Sequence, residues 1–257
     1  MAEEIFCSVQ NGIATVTLNR PEKRNALNSV VLEGLVSCFN QLEQNKDVRV
    51  VVLRGEGKAF CSGLDLRELS QRQGPEGDPE AGVTKIFHQI EQSRHPTIAM
   101  VNGDALAGGC ELALHCDLRV AADAARFGMP LARLGLIVPF PLGCKLVEII
   151  GPAFTRQILF TGQPVDARRA YEMGMVHQVV PLAELERTTY DLARTIADNA
   201  PLSLAGMKAT VLRAASLREQ IEHKDLNELV NRARKSADAR EGVQAMLEKR
   251  KPAFRGE

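Results

Sequence analysis

The stretch NGDALAGGCELALHCD, residues 102–117, poses the question that decides the fold. A turn of small residues ends in Gly108 and Gly109, and a short helix carrying Cys110, Leu112, Ala113 and Leu114 follows. Glu111 falls in the first turn of that helix, with oily neighbours on either side. A carboxylate placed there is costly unless it is paired, hydrogen-bonded or protonated. Taken alone, a glycine turn before a helix is more often a cap, and an acid in a first turn simply suits the helix dipole.

The sequence on either side shows what carries this turn. TIAMVNG (97–103) before it and DLRVAA (117–122) after it read as strands, so the unit is strand, small-residue turn, short helix, strand. The same rhythm stands upstream. SVQNGIATVTLN (8–19) is two β-rich runs joined by Asn11-Gly12, the residues that a tight hairpin needs for positive φ. The polar loop RPEKRNALNS (20–29) leads to a helix from about Ser29 to Gln44, with Val30, Leu32, Leu35, Val36, Phe39 and Leu42 at helical spacing. VRVVVLRG (48–55) is a continuous apolar run, as in a strand covered on both faces. QGPEGDPEAG (73–82) reads as an exposed loop, and residues 83–92 as a helix. From about Leu182 the composition turns helical through 182–200, 203–215 and 226–250, with Pro201 marking a break. The expected organisation is an α/β core over 1–200 and a helical C-terminal region over 201–257, with an apolar stripe of Leu226, Leu229, Val230, Ala233 and Ala237.

A second segment matches the first in kind. GKAFCSGLDLREL (57–69) also leaves a strand, passes a small-residue turn and enters a helix. Two such helix N-termini present N–H groups without intrahelical partners, and two N–H groups aimed at one point make an oxyanion hole. A glutamate one helical turn from that hole is then more than a cap. Neither GxxxxGK[ST] nor GxGxxG occurs, which removes the common phosphate loops.

The totals narrow the class further. The 257 residues are 45% hydrophobic and 25% charged, and 32 Lys+Arg balance 32 Asp+Glu. That neutrality gives no broad basic face for nucleic acid, and no apolar run approaches the ~18 residues of a membrane span. MAEEIFCSVQ has none of the charge-then-apolar order of a secretory signal, so a cytoplasmic setting is expected. The six cysteines show no CxxC pair and the five histidines no HExxH, so reduced, buried thiols and no metal are expected.

Taken together, TLNRPEKRNALNS, GKAFCSGLDLREL, NGDALAGGCELALHCDLRVAADAARFGMP, LGLIVPF, TGQPVDARRAYEMGMVHQVVP and KRKPAFRGE resemble the crotonase superfamily of enoyl-CoA hydratases and isomerases over essentially the whole chain. The resemblance implies an α/β fold, a spiral of repeated ββα units with C-terminal helices that assemble a homotrimer or a dimer of trimers. It implies an acyl-CoA thioester as substrate and no separate cofactor. It places the oxyanion donors at the N–H groups of Leu64 and Gly108, and the first catalytic glutamate of the hydratases at Glu111. Ala26, Leu27, Ala59, Cys61 and Ser62 match the stretches that hold the adenine and pantetheine, and Gly63, Asp65, Gly109 and Leu131 match further pocket positions.

The chain departs from the hydratases at one place. Their second glutamate, which follows a GxP turn, is Leu131 here, in FGMPLARLG (127–135). The places where decarboxylating relatives carry histidine or tyrosine hold Leu64 and Phe140. Three readings stand at this point. The first is an enzyme of the hydratase/isomerase type that uses Glu111 as its acid–base group. The second is another enolate reaction, decarboxylation or thioester hydrolysis. The third is a CoA-ester-binding protein with little turnover.

Overall fold

The computed structural model describes residues 3–71, 81–215 and 224–256. Strands β1 (Ile5–Gln10) and β2 (Ile13–Leu18) form an antiparallel hairpin. Its turn is Asn11 and Gly12, at φ 51° and 79°, the positive-φ pair that a two-residue hairpin demands. A single 3-10 turn over Pro21–Lys23 leads to α1 (Ser29–Gln44), whose N-cap Asn28 accepts the Val31 N–H at 2.8 Å. Then come β3 (Val50–Gly55), β4 (Ala59–Cys61), α2 (Leu66–Gln71) and α3 (Ala81–Gln92). Residues 73–80 of the expected loop lie outside the described residues, and Ala81 and Gly82 already belong to α3.

The next unit is β5 (Thr97–Val101), β6 (Asp104–Leu106) and α4 (Gly108–Leu114), and after it β7 (Leu118–Ala122) and β8 (Arg126–Gly128). A 3-10 turn over Pro130–Leu134 precedes the long helix α5 (Phe140–Thr161), which bends at Gly151-Pro152. The chain closes with β9 (Val165–Asp166), α6 (Ala167–Glu172), β10 (Gln178–Val180), α7 (Leu182–Ala197), α8 (Pro201–Ala215), α9 (Lys224–Lys235) and α10 (Ala237–Leu247).

The strands alternate between two sheets, which is the ββα spiral expected from the resemblance. One sheet has the order β1-β2-β3-β5-β7-β10, parallel apart from the β1–β2 hairpin. The other has the order β4-β6-β8-β9. Strands β3, β5 and β7 thus each hand the chain to a strand of three residues before the next helix. Away from the exposed edge strand β1, the large sheet is buried on both faces, and the side chains sort by the two-residue period of a strand. Val51, Leu53, Ala99, Val101 and Ala121 face the core formed with α1, α3 and α4. Val50, Val52, Ile98, Met100 and Val120 face the other way, against Leu185 and Ala193 of α7. So α7 covers the outer face of the sheet.

Two expectations change. Cys7 is exposed and Cys144 half-buried rather than buried, while Cys38, Cys61, Cys110 and Cys116 are buried as expected. The helical stretch 226–250 is two helices, because Ser236 caps α10 with a 2.9 Å bond from the Ala239 N–H, and Leu226 and Leu229 stand exposed. Among the described residues, no helix is long and apolar enough to cross a membrane.

Candidate active site

Close backbone packing builds the site. A methyl group on Gly109 would lie 2.0 Å from the carbonyl oxygen of Cys61, so only glycine lets α4 settle against β4. The turn after β4 closes on the same spot. Gly63 has φ +92°, and a methyl group there would lie 2.9 Å from the Ala107 Cβ and 3.1 Å from the Gly108 nitrogen. On Gly108 itself a methyl group would meet only ordinary contacts, one of them the Leu64 nitrogen at 3.7 Å. The turns 61–64 and 107–109 are therefore one structure.

The hydrogen bonds aim the two expected donors. Leu27 and Leu64 form a parallel β-bridge in which Leu27 N–H donates to Gly63 O at 2.8 Å and Asp65 N–H donates to Leu27 O at 3.0 Å. That pattern turns the Leu64 N–H to the opposite side of the bridge. Gly108 is the first residue of α4, so its N–H has no partner within the helix. Ala107, just before it, holds φ 50° and ψ −124°, a conformation that costs a non-glycine residue about 1–3 kcal/mol. Its N–H is tied to Gly128 O at 2.8 Å, which fixes the strained turn to β8.

Glu111 is fully buried, and neither carboxyl oxygen has a hydrogen-bond partner. Burial pushes its pKa up from 4.5 to about 8, and the Lys145 ammonium pulls the other way. The carboxyl thus carries its proton at neutral pH while remaining close to titration. His115, one turn on, places Nδ1 3.8 Å from the carboxyl Oε2 but donates its Nδ1–H to the Glu111 carbonyl at 2.8 Å. The ring stacks on Phe87 with centroids 5.0 Å apart, and burial drives its pKa down to about 4, so it is neutral. The far end of the helix is held by buried Arg119, whose guanidinium donates to the carbonyls of Cys116 at 2.5 Å and Ala113 at 3.3 Å.

The remaining expected positions surround this centre. Ala26 and Leu27 are buried, and Ala26 O accepts the Arg20 guanidinium at 2.7 Å. Ala59 and Cys61 are buried in β4, and burial pushes the Cys61 thiol up to about 12, so it is no thiolate nucleophile at neutral pH. Ser62 N–H donates to Arg24 O at 3.1 Å. The Asp65 carboxylate is engaged by Arg20 at 3.3 Å and by the Arg67 N–H at 3.2 Å, a brace between loop and α2. Leu131 lies half-buried in the 3-10 turn against the core, so an apolar group stands there. Arg133 is exposed and covers Gly162, away from Glu111.

Sequence reasoning passed over several contributors. Asn25 joins the 20–27 loop to β4, donating to Glu56 O at 2.9 Å and Ala59 O at 2.8 Å while accepting the Arg20 N–H at 2.9 Å. Beside it opens a cleft lined by Pro21, Arg24, Gly57, Lys58 and Ala59, with two exposed cations at its mouth. The signal was slight: Arg24 ends the charged run Glu22-Lys23-Arg24, and Lys58 follows Gly57. Only folding brings them together.

Comparison with known proteins identifies the family. The family model described as enoyl-CoA hydratase/isomerase matches residues 8–257. The short-chain-enoyl-CoA hydratase of Clostridium acetobutylicum is 34% identical over 250 residues, covering 96% of this chain and 95% of that protein. The 1,2-epoxyphenylacetyl-CoA isomerase of Escherichia coli is 34% identical over 264 residues and covers 100% of both. Among solved structures, carnitinyl-CoA hydratase from Mycobacterium avium superposes with a TM-score of 0.86 at 31% identity, over 100% of both chains. A methylmalonyl-CoA decarboxylase does so with a TM-score of 0.89 at 27% identity, again over 100% of both. With the spiral of strand pairs, the fused glycine turns and a match over nearly its full length, this chain belongs to the enoyl-CoA hydratase/isomerase family of the crotonase superfamily.

Proposed function

We propose that the protein holds an acyl-CoA thioester with its carbonyl oxygen between the N–H groups of Leu64 and Gly108, and that Glu111 moves the proton. The observation that carries this is the Glu111 carboxyl, fully buried and without a hydrogen-bond partner, one turn from Gly108. Charge on the enolate oxygen is met by donors already in place, each worth about 10²–10³ in rate. A carboxyl with a pKa near the working pH can take or give the proton at the neighbouring carbon. The cleft with Arg24 and Lys58 suits the phosphates of coenzyme A, beside Ala26, Leu27, Ala59, Cys61 and Ser62.

No separate cofactor enters this chemistry, since thioester polarisation and proton transfer use only these groups. Residues 1–200 form the core with the site, 201–257 serve assembly into a trimer or a dimer of trimers, and the setting is cytoplasmic. Leu202, Met207 and Val211 of α8 support the assembly, being exposed in the single chain.

A second reading has its own observation. Leu131 leaves no second carboxylate to activate water, and Glu111 rests as an acid. An acid at rest suits protonation of an enolate formed by loss of CO2, and a methylmalonyl-CoA decarboxylase superposes on this chain. Leu64 and Phe140, where decarboxylating relatives hold histidine or tyrosine, weigh against it.

Turnover of a panel of 2-enoyl-CoA and 2-carboxyacyl-CoA esters by the wild type and by Glu111→Gln separates the two. Product from the enoyl esters, lost in the variant, supports the first reading. Release of CO2 alone supports the second. Full rates in Glu111→Gln would refute the assignment of Glu111.

A further inference from the structure

A charged cluster that the chemistry above does not use joins α3 to α5, the two helices packed against α4. Glu91 of α3 and Lys145 of α5 are both buried and directly ion-paired. Lys145 Nζ also lies 2.9 Å from Glu148 Oε2, and the Glu148 side chain is 39% exposed. These helices pack against α4, which carries Glu111 and ends at the C-cap His115. A buried ion pair seldom repays its desolvation, so its presence beside an unpaired buried carboxyl calls for a reason beyond stability.

Among the described residues, the other groups around α4 do not offer Glu111 a free cation. Cys110 on its own helix and His115 at its C-cap are neutral, and so is Cys61 on β4. Asp104 on β6 is held by Arg24 and Arg126. Arg119 on β7 is spent on the carbonyls of Ala113 and Cys116 at the opposite end of α4 and on that of Met175. Lys145 remains, partly compensated by Glu91 and Glu148.

We propose that Lys145, clamped by Glu91 and Glu148, is a positioning residue that sets the proton affinity of Glu111 and so the pH at which the site can work. The ammonium favours the carboxylate across the α4–α5 contact, and its two carboxylate partners fix how much of that charge Glu111 feels. Without it, full burial would hold the carboxyl protonated well above neutrality. This rests on the reading of Glu111 as the proton carrier, but its test does not.

The protonation of Glu111 is read directly from its carboxylic-acid carbonyl band in the infrared, with Glu111→Gln identifying the band, alongside the pH profile of kcat. The double variant Lys145→Met/Glu91→Gln removes both charges of the buried pair and should move the Glu111 midpoint up by about one pH unit. Glu148→Gln strips a counter-charge at the exposed rim, where folding is not at stake, and should move it down. Lys145→Arg should return it near the wild-type value. An unmoved midpoint in either folded variant would overturn the proposal. A moved midpoint with an unmoved kcat profile would uphold the action of Lys145 on Glu111 and refute both its control of the working pH and Glu111 as the proton carrier.

Discussion

Replacing Gly109 with alanine tests whether the packing of α4 against β4 sets the donor geometry. The added methyl would stand 2.0 Å from Cys61 O, 2.6 Å from Cys61 C and 2.8 Å from Cys61 Cβ. A carbon rarely approaches such atoms below about 3.0 Å, so the helix must retreat by roughly 1 Å. Two of the three obstacles are backbone, so no side chain can turn aside. Overpacking of this kind costs about 1–3 kcal/mol, and the upper end applies where nothing can rotate away. The helical preference of alanine over glycine returns at most about 1 kcal/mol, so the clash wins. The same 1 Å separates the Gly108 N–H from the Leu64 N–H, and a misplacement of that size can cost about 10² in rate. Urea denaturation and steady-state turnover on the best acyl-CoA measure both effects. Gly143→Ala is the control, since its methyl would meet only Val138 Cγ1, at 3.6 Å, within helix α5. A Gly109→Ala protein within about 0.5 kcal/mol of wild type and at full rate would refute the reasoning.

Glu111→Gln should retain the fold and lose about 10²–10⁴ of the rate. Its stability should also separate from wild type with pH. The folded pKa of Glu111 is raised above the unfolded 4.5, so its favourable, protonated state is fully present below pH 4.5 and is lost as pH rises to about 8. Wild type should therefore lose about 1.4 kcal/mol per pH unit relative to the variant across that window, and parallel melting curves from pH 5 to 8 would contradict it. Sedimentation at micromolar concentration should show a trimer or hexamer, and Leu202→Asp/Met207→Asp should dissociate it; a wild-type monomer would exclude assembly through α8.

Much of the architecture was legible from local chemistry. Asn11-Gly12 demanded a hairpin because few residues hold two consecutive positive φ angles cheaply, and β1–β2 is that hairpin. The apolar stripe of 29–44 marked α1 to the residue, because a one-sided helix repeats its burial every turn. The oily flank of Glu111 announced a buried carboxylate for the same local reason. The strand 97–103 ends at Val101 and the strand 48–55 begins at Val50, since end residues pair only where the neighbouring strand still reaches them.

The tertiary structure alone decided the rest. The second sheet was invisible because β4, β6 and β8 have only three residues each, too few to show a period, and their partners lie tens of residues away. Helix α5 went unread because Pro139, Pro141, Gly143, Gly151 and Pro152 interrupt its pattern, and with it went Lys145. A sequence shows that Gly109 is glycine. That Cys61 O lies where its side chain would be, and that this contact brings Leu64 to Gly108, is a fact of long-range packing that no local pattern encodes.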